Sequence, residues 1–242
     1  MLSKSLLEDI INTAMSTGGD FAEVFVEDRY NTSLYLIGGK VEDGMAGRDF
    51  GVGIRIFNGF NSIYVYTNKC TRENLLNVAK QGAMAINKTK KDIILNLTKQ
   101  EINNIHPIKI MPNDIENTKK VELMRRAYNA AKNYDEIISQ VSVSYGDYKQ
   151  DILIANSDGL LVEDSRVRTR TSISSVASKN GEMQTGFFGP GAYMGFEYYD
   201  TFNIEDYAKE ASRIAKTMIH AEHCGSGQMP VIIDNGFGGV IF

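Results

Sequence analysis

The sequence predicts an α+β protein of two domains, each an antiparallel sheet backed by helices. Three observations carry this expectation. Apolar residues recur at helical spacing in four separated stretches. Strand-length runs bounded by Gly-Gly and Asn-Gly dipeptides fill the intervals. The order helix, strands, helix occurs twice, on either side of a polar stretch at residues 88–113.

The first helix follows from Leu6, Leu7, Ile10, Ile11 and Ala14, which share one face, with Gly18 and Gly19 as its stop. Extended segments at 21–29, 32–37, 40–45, 50–57 and 61–67 make a meander of about five strands. Gly38-Gly39 and Asn58-Gly59 supply the positive φ angles of its tight turns. Thr71 is a good N-cap for a second helix carrying Leu75, Leu76, Ala79, Ala83 and Ile86 on one side. The Lys- and Asn-rich stretch with Pro107 and Pro112 marks a domain boundary, and 92–97 within it suits an edge strand. A third helix at 115–133 buries Val121, Met124, Ala127, Ala131 and Tyr134. Strands at 141–145, 151–155, 159–163, 166–178 and 182–188 follow, separated by Ser157-Asp158-Gly159 and Asn180-Gly181. A fourth helix occupies 204–219. The expected units are residues 1–105, residues 113–225, and a further unit beginning within 226–242; no residue-level repeat relates the halves.

Composition narrows the function. With 26 Lys and Arg against 30 Asp and Glu, the net charge is −4, which argues against an electrostatically driven nucleic-acid binder. Cys70 and Cys224 are the only cysteines, so neither a disulfide framework nor a four-Cys zinc site can form, and a reducing cytoplasm suits them. No apolar run reaches membrane-spanning length, and Glu8 and Asp9 interrupt what a signal peptide needs. The last residues, QMPVIIDNGFGGVIF, are apolar with a single charge. Chain ends are normally polar and frayed, so this end suggests a short docked strand or a chain cut inside a folded unit.

Candidate chemistry is sparse. His220 and His223, with Glu222 and Cys224 beside them, resemble a metal-ligand cluster, but Gly225-Ser226-Gly227 would leave them on a fraying helix end. His106 precedes Pro107 in the polar stretch and lacks acidic neighbours. Cys70 sits where a helix N-terminus would depress its pKa, with no histidine near in sequence. Glu27, Asp28, Glu42 and Asp43 lack a catalytic partner in sequence, and the ten methionines read as core filler. Gly189-Pro190-Gly191, in the run GFFGPGAYMGFE, is not a phosphate loop; it is a plain flexible loop or one that approaches a substrate backbone. Arg166, Arg168 and Arg170 alternate with Val167, Thr169 and Thr171, so one strand face carries three guanidinium groups, either solvated or gripping an anion. No complete catalytic constellation is present.

As a set, several segments resemble the TldD/PmbA family, known as modulators of DNA gyrase and as metallopeptidases. They are GGDFAEVFVEDRYNTSLYLIGGKVED, the Gly-rich hairpin GRDFGVGIRIFNGFNSIYVYTN, the segment QVSVSYGDYKQDILIANSDGLLVEDSRVRTRTSISSVA, GFFGPGAYMGFE and MPVIIDNGFGGVIF. In TldD-type members a segment like GFGGVIF leads into a His-Glu-x-x-x-His helix that binds zinc, and Phe242 stands where that motif should begin. The resemblance implies zinc-assisted peptide hydrolysis for the full-length family member. For this chain it implies no catalytic residue and no bound zinc, because His220 and His223 match no family ligand position. It further implies a cytoplasmic homodimer, or a heterodimer with a PmbA-like subunit, acting on unfolded peptides or small proteins, with no nucleic acid and no membrane. Arg166, Arg168, Arg170, Gly189, Pro190 and Gly191 are the candidate substrate path, aided by strand addition at a sheet edge. The alternatives are a non-enzymatic peptide- or protein-binding module of PmbA type, and an anion- or nucleotide-binding protein whose binding disappears on Arg168→Ala.

Overall fold

The computed structural model describes residues 2–86 and 95–241. Helix α1 (Lys4–Ala14) starts where the Ser3 hydroxyl accepts the Leu6 N–H. Three strands follow: β1 (Phe21–Ile37), β2 (Lys40–Asn58) and β3 (Asn61–Thr67). Helix α2 (Arg72–Met84) begins at the predicted Thr71 cap, whose hydroxyl accepts from Asn74 N–H. After β4 (Thr98–Gln100) and a 3-10 turn come α3 (Asn117–Lys132), β5 (Ile138–Asn156), β6 (Leu160–Lys179), β7 (Glu182–Phe188), β8 (Gly191–Ala192), a 3-10 turn, α4 (Ile204–Ile219) and α5 (Asn235–Ile241).

The α+β class is the one expected, but the two halves share one sheet. Its order is β3-β2-β1-β5-β6-β4, with β7 and β8 also paired to β6. The join is β1 against β5, antiparallel from Glu23–Asn156 to Ile37–Ser142 without a shift. A β1 with only β2 beside it would leave one row of backbone donors and acceptors unpaired, and β5 satisfies that row. The segments read as ten short strands are fused into fewer long ones. β1 runs through Tyr30 and Asn31, β2 through Ala46–Arg48, β5 through Gly146–Gln150, and β6 through Asp164 and Ser165. Of the expected edge strand at 92–97, residues 92–94 lie outside the described residues, and the edge strand observed is β4, parallel to Leu160–Val162. The apolar end is helical rather than a docked strand, with Val240 and Ile241 largely exposed.

All four long helices lie on one face of the sheet. Ala22, Val24 and Val26 of β1 enter a core under α1 and α2, with Ile54, Ile56, Leu75, Leu153 and Ala155. Leu34 and Leu36, further along β1, enter a second core under α3 and α4, with Val143, Tyr145, Ile173, Met124 and Ala211. Strand side chains alternate, so even residues of β1 and odd residues of β5 and β6 share this helical face. Between the two cores that face turns polar. Arg48 binds Asp28 through two bonds of 2.7 Å, and Lys149 Nζ lies 2.8 Å from Asp151.

A buried ion pair fixes α3 to this mid-sheet zone. Lys120 Nζ lies 2.7 Å from Asp147 Oδ2, and their side chains are 2% and 0% exposed. Removing one partner leaves the other charge buried without compensation. Lys120→Met is therefore expected to cost about 3–5 kcal/mol in urea denaturation, with much of the loss recovered in Lys120→Met/Asp147→Leu. A single variant within about 1 kcal/mol of the parent, the range of an exposed pair, contradicts this account.

Candidate functional site

Among the described residues, none of the four long helices packs on the opposite face of the sheet, and its residues line up in rows set by strand register. Across β1, β5 and β6 these rows are Arg29–Gln150–Arg166, Asn31–Tyr148–Arg168 and Ser33–Gly146–Arg170. The third row has no side chain at its centre. A Cβ added at Gly146 would meet only the Thr32 carbonyl oxygen, at 3.9 Å, so open space lies above it. The result is a hollow of about 660 Å³ whose lining includes Arg29, Ser33, Tyr148, Arg168, Arg170 and Tyr193.

The loop after β7 closes one side of the hollow. Gly189 and Gly191 also line it, and they pack on the Arg170 side chain. A Cβ at Gly189 would come within 2.9 Å of Arg170 Nη2, and one at Gly191 within 3.0 Å of Arg170 Cγ. The missing side chains of these glycines therefore leave room for the arginine. Pro190 is buried and is not among the residues lining the hollow, and its carbonyl accepts the Thr171 N–H at 2.9 Å. Two residues after Gly191, the Tyr193 ring has its centre 5.5 Å from the Arg168 guanidinium carbon.

The three arginines of β6 are not equivalent. Arg166 is bound to Asp164 at 2.7 Å and is absent from the hollow's lining. Among the described residues, no carboxylate pairs with Arg168 or Arg170. Arg29, which sequence reasoning missed, lies over the Tyr148 ring at 4.3 Å and donates from Nε to Asn31 Oδ1 at 2.7 Å. Its signal was alternation alone: Arg29, Asn31 and Ser33 sit two apart, like the arginines of β6.

The other candidates are scattered. His220 Nε2 lies 2.9 Å from Lys179 Nζ, and its Nδ1 lies 2.8 Å from the Lys216 carbonyl oxygen. Cys224 is exposed. Among the described residues, no group of three or more His, Cys, Asp and Glu is placed to hold a metal ion. The described residues therefore do not fit a zinc centre. His106 is exposed but stands edge-on to Tyr193 at 4.8 Å. Burial pushes the Cys70 thiol pKa up, opposite to the lowering expected at a helix start. Asp28 is held low by its hydrogen bond from Arg48, and Gln150 donates to Glu27. Glu42 and Asp43 lie exposed on β2.

Glu197 was also missed by sequence reasoning, and it sets the position of the loop. It is only 6% exposed. Its carboxylate accepts backbone N–H groups of Lys109 at 3.1 Å, Ile110 at 2.9 Å and Gly195 at 3.2 Å. The segment at 109–110 and the loop before α4 are thereby tied together. Gly195 is required, because a Cβ there would lie 2.1 Å from the Ile110 carbonyl oxygen.

Comparison with known proteins now bears on this arrangement. Residues 22–86 match the PmbA/TldA metallopeptidase domain 1, and residues 110–219 match the central domain of the same family. The chain belongs to the PmbA/TldA metallopeptidase family, the TldD/PmbA family of the sequence resemblance. It is 27% identical to a metalloprotease TldD homolog of Haemophilus influenzae over 99% of this chain and 51% of that protein. It is 32% identical to a metalloprotease of Methanocaldococcus jannaschii over 92% of this chain and 49% of that protein. In fold it resembles a Thermotoga maritima protein named for modulation of DNA gyrase, with a TM-score of 0.72, 19% identity, and coverage of 93% of this chain and 50% of that one. The chain thus spans about half the length of the family relatives it matches. No helix among the described residues is long and apolar enough to cross a membrane.

Within this family chain, Glu197 gives a pH dependence. Burial alone would raise its pKa, but the backbone N–H groups outweigh burial and hold it below the ordinary value. Its contribution to stability is present above the unfolded pKa near 4.5 and is lost as pH falls through the lower folded value. Glu197→Gln should cost about 1.5–3 kcal/mol at pH 7 and flatten the acid limb of a stability–pH curve. An unchanged acid limb contradicts the assignment.

Proposed function

We propose that this chain is the substrate-holding part of a TldD-type zinc metallopeptidase that hydrolyses peptide bonds in unfolded peptides or small proteins. The observation that carries the proposal is the uncovered sheet face, where Gly146 opens a hollow beside Arg168, Arg170 and the Gly189–Gly191 loop. Support comes from the metalloprotease names of relatives that match nearly the whole chain. In this reading residues 1–105 and 113–225 are scaffold units, and 226–242 begin a further one. The catalytic zinc would polarise water and a peptide carbonyl in the part of such proteins that this chain does not match. A cytoplasmic homodimer, or a heterodimer with a PmbA-like subunit, belongs to the same proposal.

An unfolded chain suits the site because its backbone can lie extended along a strand-lined trough. Among the described residues, β2 pairs from Lys40 to Gly51 on one side only, with β1, which leaves one sheet edge for strand addition. Fluorescence anisotropy with labelled unstructured peptides tests the reading. Saturable binding is expected, weakened about tenfold by Gly146→Val, a loss of roughly 1.4 kcal/mol. Valine is favourable in a strand and fills the hollow without disturbing the core. Absent binding, or equal binding by the variant, overturns the proposal. Elemental analysis is expected to find no stoichiometric zinc on this chain, whereas one tight zinc per chain would return attention to His220, His223 and Cys224.

A further inference from the structure

The hollow has a charge that its peptide-holding role does not require. Three guanidinium groups, Arg29, Arg168 and Arg170, line it together with the rings of Tyr148 and Tyr193. Arg168 and Arg170 lie two residues apart on one strand face, about 7 Å along β6, and Arg29 is two strands away and one row along, about 12 Å from Arg168. Among the described residues of the lining Asp147 is the only acidic one, and its carboxylate is on the helical face, bound to Lys120. On the same sheet face Asp164 is ion-paired with Arg166, Asp49 accepts from the Asn31 amide at 3.1 Å, and Glu27 accepts from Gln150. Among the described residues, no carboxylate pairs with the arginines of the hollow, on a protein of net charge −4.

We propose that Arg168 and Arg170 bind a carboxylate of the extended peptide, so that the chain selects peptides bearing an acidic group. This rests on the open face being the peptide path. Each guanidinium is a planar fork matched to the two oxygens of a carboxylate. The loop orients one of the forks: Gly189 and Gly191 leave room for the Arg170 side chain, and the Thr171 N–H bond to Pro190 holds the loop on β6. Tyr193 confines Arg168 from the side, and Tyr148 holds Arg29 flat, as a third positive charge at the rim. Ser33 offers a hydroxyl next to the same opening. A carboxylate reaches this place either as the peptide's C-terminus or as an Asp or Glu side chain.

The test uses the full chain and one labelled, unstructured peptide in three forms. One has a free C-terminal acid and no acidic side chain, the second an amidated end and one Glu, and the third an amidated end and no carboxylate. Either acidic form is expected to bind about tenfold or more tightly than the third, and the tighter of the two identifies the source of the carboxylate. Arg168→Gln and Arg170→Gln should abolish that preference, and Arg170→Lys should retain part of it as charge without the fork. Arg166→Gln, already paired with Asp164, should keep it. Equal binding of all three forms, or a preference that survives both glutamine variants, overturns the carboxylate site while leaving the peptide path standing. Failure of every form to bind overturns both.

Discussion

The structure depends on the pairing of β1 with β5. These strands come from opposite halves of the chain, yet they run in register from Glu23–Asn156 to Ile37–Ser142. A slip of one residue would turn every side chain of one strand to the other face. Both cores forbid that slip, because β1 delivers Val24 and Val26 to one and Leu34 and Leu36 to the other. The same register fixes the rows on the open face. Gly146 stands between Ser33 and Arg170 only because Val24 and Leu36 are both buried on the far side.

The sheet separates charges by where they sit. On the helical face, mid-sheet charges are matched: Arg48 with Asp28, Lys149 with Asp151, and buried Lys120 with Asp147. On the open face, Arg168 and Arg170 are exposed and have no carboxylate partner among the described residues. Exposed arginines cost little when unpaired, whereas an unpaired Asp147 would be expensive. Folding therefore tolerates unused positive charge on one face and not on the other. That asymmetry leaves the open face free to be shaped by ligand binding.

Much of this was legible in the sequence where burial wrote a periodic pattern. The four long helices, the Thr71 cap and the glycine turns follow from apolar spacing and positive φ. The long strands were not legible, because the apolar alternation lapses between the two cores. Asp28, Tyr30 and Arg48 occupy helical-face positions with no helix above them, and so read as interruptions. The β1–β5 join was hidden for another reason: the sequence identifies strands but not partners more than a hundred residues apart. At the site, period two placed Arg166, Arg168 and Arg170 on one face correctly. It could not show that Asp164 neutralises the first, or that Arg29 arrives from β1. Glu197 carried no signal, since a carboxylate that binds backbone N–H groups has no side-chain partner to be paired with in a sequence.

Native-state hydrogen exchange resolved along β1 and β5 tests the central claim, that one sheet unites both halves. The β1 and β5 amides of the shared ladder should be among the slowest to exchange, and should open together with the amides of α1 and α3 in one cooperative event. Fast exchange along the β1–β5 ladder, with each half keeping its own slow core, would show two separate sheets and contradict it.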